Sequence, residues 1–284
     1  MARIVTFLIL TFGLSTIFWF RIITAGSLSL DDGLDVLALM WCPGVAGLVT
    51  SLVWGRSLRR MGWGLPRPSY LGIAYILPIL VCLLVYPFVW VMGLGGFTSE
   101  NSLNLSLPLF LLVAGTVGMV NSLISAAGEE IGWRGLLVPQ LAQLMSPTRT
   151  ALISGAIWLL WHLPIILFAN YNAGTDWWYG LGCFSIMLMS ASFLATWLRL
   201  KSGSLWPAVV LHASHNLFVQ AVFDALTVSA GVTAYLTGEF GIGLAIASAL
   251  VALVVWHVWP VNASSTTRRQ VPPSVQRQPG QAPS

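Results

Sequence analysis

Charge is what this 284-residue sequence has least of. Asp, Glu, Lys and Arg make up 8% of it, against 57% hydrophobic residues, whereas an average soluble domain carries about 25% charge. So few charges cannot cover a water-facing surface, which excludes a soluble globular protein and leaves a bilayer as the solvent. Cysteine is scarce as well. Cys42, Cys82 and Cys183 are odd in number, far apart and set in apolar stretches. That excludes a disulfide framework or a CxxC metal site and makes them small buried hydrophobes. No dense Lys/Arg run occurs and the net charge is only +4, so nucleic acid is excluded as a partner. Internal repeats of 20–50 residues are also missing, and the chain reads as one membrane domain over 1–260. Residues 261–284, without an aromatic side chain and rich in Ser, Thr, Gln, Arg and Pro, are expected to be a disordered cytoplasmic tail.

What is present is apolar sequence in blocks. A hydrocarbon core about 30 Å thick takes roughly 20 residues of helix. Eight segments approach that length: 4–20, 36–54, 70–92, 109–127, 151–168, 177–198, 205–226 and 240–259. The expected fold is all-α and polytopic, with eight transmembrane helices. The first segment exceeds the usual signal-peptide core and is expected to stay as an uncleaved helix. Arg3, Arg56, Arg59, Arg60, Arg67, Arg134, Arg149, Arg199, Lys201, Arg268, Arg269 and Arg277 fall on one side of this arrangement and only Arg21 on the other. The positive-inside rule then puts both termini in the cytoplasm. Acidic residues sort the opposite way, Asp31, Asp32, Asp35, Glu100, Asp176, Asp224 and Glu239 lying on or near the outer side. Glu129 and Glu130 break the sorting.

That pair is expected at the inner end of the fourth span, followed by Ile131-Gly132-Trp133-Arg134-Gly135. On a helix, Glu130 and Arg134 are i and i+4 and form an ion pair, while Glu129 points about 100° away, toward a cavity. Histidine appears four times. His162 lies in the fifth span beside Pro164, which frees a backbone acceptor near it. His212 and Asn216 share a face of the seventh span, whose Trp206-Pro207 suits a helix start, and His212 lies about 8 Å inside the inner surface. His215 reads as the spare histidine, and His257, beside Trp256, as an interfacial residue. Burying such groups separately costs several kcal/mol each, whereas one water-filled cavity lets them satisfy one another. A carboxylate there suits a general base that takes a proton from water and returns it to a leaving amine. A histidine and an amide aimed at one point can hold an oxyanion.

Glu129-Glu130 with Arg134, an aromatic residue ahead of His162, and His212 with Asn216 resemble the EExxxR, FxxxH and HxxxN/B motifs of the CPBP family. These are the CAAX-protease and bacteriocin-processing intramembrane proteases, also called the Abi family and similar to type II CAAX prenyl endopeptidases. The resemblance runs from Glu129 to Asn216. It implies an intramembrane endopeptidase in which Glu129, assisted by His162, activates water, His212 and Asn216 form the oxyanion hole, and Glu130 with Arg134 support the first motif. It also implies a membrane protein or lipidated peptide as substrate, with cleavage near the cytoplasmic face, in the plasma membrane if the source is prokaryotic. Trp158 stands where the family usually has phenylalanine, a departure that bears on substrate shape more than on chemistry. Cofactor use stays open. The family's name as metalloproteases implies a zinc option with Glu129, His162 and His212 as ligands; yet the sequence has no HExxH, and the resemblance otherwise implies water activated by glutamate without an essential ion. Two other readings of the same residues are a transporter or proton relay, disfavoured by the absence of inverted repeats, and a non-catalytic immunity or scaffold protein.

Overall fold

The computed structural model describes residues 1–26, 33–55, 58–101 and 103–261. Asp31, Asp32, Arg56, Arg268, Arg269, Arg277 and tail residues 262–284 lie outside the described residues, and so does the expected disorder of that tail. Proline and glycine punctuate the chain where the apolar blocks meet. Helix α1 (Ala2–Ala25) ends at Gly26, whose φ of 82° lets its N–H turn back to the Ile22 and Ile23 carbonyls. Helix α2 (Gly33–Val53) follows, and Arg21 reaches across to the Asp35 carboxylate at 2.9 Å. The one arginine on the acidic side therefore has a local counter-charge. Helix α3 (Pro68–Val91) starts on a proline, which needs no amide partner in a first turn.

Helix α4 (Leu107–Leu141) is a single 35-residue apolar helix. Helices α5 (Pro147–Phe168) and α6 (Trp177–Ser202) follow, the first capped by the Ser146 hydroxyl accepting from the Arg149 amide, the second closed at Gly203. Helix α7 (206–223) joins Trp206–His215 to a π-helical stretch, Asn216–Phe223. Helix α8 (Ile242–Val258) is last. The two short strands, β1 (Gly95–Phe97) and β2 (Thr227–Ser229), pair antiparallel with Gly95 opposite Ser229 and clip the α3–α4 connection to the end of α7.

Helices α1 to α6 are each long and apolar enough to cross a membrane, the last two being shorter or interrupted. Their outward faces stay apolar: Ile9, Leu83, Phe88, Leu112, Leu250 and Val254 are all exposed, a surface suited to lipid and not to water. The chain is an all-α, integral, multi-pass membrane protein. Inside, one apolar cluster joins α1, α2, α4, α5 and α6 around Phe7, Trp133 and Trp161, and a second joins α3, α6, α7 and α8 around Val85, Leu198 and Leu244. Between them lies a cavity of about 530 Å³.

The structure changes the expected place of the acidic pair. Sequence puts Glu129 and Glu130 at the inner end of a span that stops at about residue 127, but α4 continues for eleven residues past Glu130. Both glutamates are sealed inside the bundle, at 1% and 0% exposure. The chain can continue as helix because Arg134 is itself buried against Glu130 and because glycine at 128 and 132 lets another helix close over this stretch.

Candidate active site

Gly128 and Gly132 flank the two glutamates on α4 and meet Met40, Pro43 and Gly44 of α2. A Cβ placed on Gly128 would lie 2.8 Å from the Met40 carbonyl oxygen, and one on Gly132 would lie 2.5 Å from the Pro43 carbonyl carbon. From the other side, a Cβ on Gly44 would lie 2.5 Å from the Gly128 oxygen. The backbones touch, as small residues four apart allow in membrane helices. Gly128-Glu129-Glu130-Ile131-Gly132 is thus a GxxxG contact written around the acidic pair, a spacing that could have signalled the contact in the sequence but was passed over.

Beyond Glu130 the helix widens into π geometry over Ile131–Leu137, and α7 widens in the same way starting at Asn216. Such local widenings frequently occur at functional sites. Here the first begins directly after Glu130 and the second at Asn216.

The carboxylates do different things. Glu130 Oε1 accepts from Arg134 Nη1 at 2.9 Å and lies 3.1 Å from His212 Nδ1. Glu129 Oε2 accepts from the Trp158 indole N–H at 2.6 Å and, more weakly, from that of Trp133 at 3.3 Å. Oε1 of Glu129 has no hydrogen-bond partner among the described residues. The Arg134 guanidinium carbon lies 4.3 Å over the Trp158 ring, a contact that holds the cation without a second acid. Arg199, which the sequence placed in a charged loop, is instead buried and donates from Nε to the Arg134 carbonyl at 2.8 Å.

His162 Nδ1 lies 2.9 Å from the Trp158 carbonyl. A carbonyl only accepts, so Nδ1 carries the proton and Nε2 presents a lone pair. His162 and His212 both pack on Trp158, with ring centroids at 5.8 and 5.4 Å. Glu129, Glu130, His162, His212 and Asn216 all line the same cavity; Arg134 sits behind its wall. The six residues chosen from sequence are therefore brought together.

Three residues passed over by sequence face the cavity as well. His215 Nε2 lies 3.0 Å from Glu239 Oε1, and the Tyr171 hydroxyl donates to Glu239 Oε2 at 2.5 Å. Burial alone raises the Glu239 carboxyl, but the His215 bond and charge outweigh it. With the Tyr171 and Gln220 bonds they hold the group down at about 2. Glu239 follows α7 in a connecting segment, where its sequence context reads as an ordinary outer loop acid; nothing local signals its burial.

Metal ligation fits poorly. Among the described residues no three His, Cys, Asp or Glu side chains are grouped to hold an ion. Glu129 Oε2 is engaged by indoles and the histidine Nδ1 atoms by Trp158 and Glu130, so only Glu129 Oε1 and the two Nε2 atoms stay uncommitted, and these are not grouped around one point.

A buried acid pair and two histidines around a cavity within a helical membrane bundle define a polytopic membrane protein with an enzyme-like interior. Residues 105–218 match the family model described as Rce1-like, type II CAAX prenyl endopeptidase. The chain is also similar to CAAX prenyl protease 2 of Methanococcus maripaludis, 32% identical over 102 residues, which is 34% of this chain and 36% of that protein. It thus aligns with about a third of that relative's length. The family match spans α4 to the π turn of α7, and so contains every residue of the proposed centre.

Proposed function

We propose that the protein is an intramembrane endopeptidase of the CAAX prenyl protease type, cleaving a prenylated or otherwise membrane-associated peptide near the cytoplasmic face. The observation that carries this reading is Glu129: a carboxylate with one oxygen held by two indoles and the other without a partner among the described residues, on the same cavity as His162 with its free lone pair. Water held between them gives a proton to Glu129 Oε1, assisted by His162 Nε2, as its oxygen adds to the scissile carbonyl carbon. The carbonyl oxygen becomes an oxyanion facing His212 and Asn216. His212, with Glu130 as its counter-ion at Nδ1, donates from Nε2, and the Asn216 amide supplies a second donor. Collapse of the intermediate breaks the C–N bond, and the proton on Glu129 passes to the leaving amine. Glu130 and Arg134 orient His212 and do not touch substrate.

The apolar remainder of the cavity, with Leu39, Val81, Phe184 and Leu188, suits a lipid-bearing or hydrophobic segment. No metal takes part in this scheme. Glu129→Gln is isosteric and cannot take the proton; purified enzyme carrying it is expected to keep its thermal midpoint and to lose at least about 100-fold in hydrolysis of a farnesylated CAAX reporter peptide. A variant that cleaves normally would end the assignment.

A further inference from the structure

Trp158 touches the acid, the arginine and both histidines at once. Its N–H donates to Glu129 Oε2 at 2.6 Å, its face carries the Arg134 guanidinium at 4.3 Å, and both histidine rings pack on it. Its own carbonyl fixes the His162 tautomer. The residue is buried, at 5% exposure, yet it lines the cavity. A wall alone needs only an aromatic ring, which phenylalanine would supply. The indole nitrogen adds a donor aimed at one oxygen of the acid.

Building on the hydrolase reading above, we propose that Trp158 is a positioning residue for the reaction, its indole N–H fixing the Glu129 carboxylate so that Oε1 and not Oε2 meets the water. A carboxylate with no such contact rotates about its last bond and offers either oxygen in a range of directions. With Oε2 pinned, the remaining oxygen points one way at all times, and the water need not wait for it. Trp133 reaches the same oxygen from one turn along α4, at 3.3 Å, and acts as a weaker second pin. The Trp158 bond crosses between helices, so it also ties α5 to α4 at the depth of the reaction.

The test uses the full-length enzyme in detergent with the farnesylated CAAX reporter peptide. Trp158→Phe keeps the wall and loses the donor. Its kcat is expected to fall roughly 10- to 100-fold, the range for losing a hydrogen bond to a charged group, with KM within about twofold. Trp158→His restores a ring N–H at similar reach and is expected to recover part of that loss; a purely steric role predicts that it is worse than phenylalanine. Trp133→Phe is expected to cost only a few-fold. Wild-type kcat in a folded Trp158→Phe enzyme, alongside an inactive Glu129→Gln, overturns the positioning role and leaves the hydrolase reading intact. Activity in Glu129→Gln overturns both.

Discussion

Replacing Gly132 by alanine sets a methyl group 2.5 Å from the Pro43 carbonyl carbon of α2, where ordinary contact begins at 3.4 Å. All the atoms it meets belong to Pro43, backbone and ring-bound Cβ and not a flexible side-chain tip, so the two helix backbones must part by roughly 1 Å. Overpacking of this kind costs about 1–3 kcal/mol, offset by up to about 1 kcal/mol from the better helix propensity of alanine. The larger effect falls on catalysis. Glu129 and Glu130 lie within one turn of Gly132, and a displacement of 1 Å at reacting groups costs on the order of 100-fold in rate. We therefore expect a protein that still folds, with a thermal midpoint a few degrees lower in detergent, but that hydrolyses a farnesylated CAAX reporter about 100 times more slowly. Gly13→Ala is the control, since a Cβ there meets nothing within 4 Å; it should leave rate and midpoint unchanged or slightly improved. If Gly132→Ala matches the wild type in both measurements, the close approach of α2 and α4 does not set the position of the acids, and the reasoning fails.

Two further outcomes are expected. Because the Glu239 carboxyl is held at about 2, below its ordinary 4.5, its ionised form stabilises the fold fully above pH 4.5, and that contribution is lost as pH falls toward 2. Glu239→Gln should therefore flatten the acid side of a plot of thermal midpoint against pH; an unchanged slope would show that the contacts of Glu239 with His215 and Tyr171 do not act as described. Hydrolysis should survive dialysis against a strong chelator at full rate, and activity lost on chelation and restored by zinc would overturn the metal-free scheme.

Much of the centre was legible because its chemistry is local. Glu130 and Arg134 are one helical turn apart and pair at 2.9 Å, as their spacing predicts. His212 and Asn216, on one face of a helix beginning at Trp206-Pro207, both reach the cavity. Trp158 was noticed only as a bulkier wall, since its hydrogen bond spans 29 residues. His215 read as spare because its partner lies 24 residues on, in a segment that looks like solvent-exposed loop. Arg199 was assigned to a charged loop because its acceptor, a backbone carbonyl 65 residues away, leaves no trace in sequence.

The sequence by itself determined the solvent, the helical class and which polar side chains meet at the cavity. Those follow from composition and from spacings of three or four residues, which a helix converts into shared faces irrespective of its surroundings. Only the tertiary structure decided how deep the acids lie. Their helix does not stop at them, because α2 packs its backbone against Gly128 and Gly132 and because a buried arginine supplies the counter-charge. Which oxygen of Glu129 is held, which proton His162 carries and which loop acid is buried were likewise set between helices, by contacts whose partners are far apart along the chain and adjacent only once the bundle has closed.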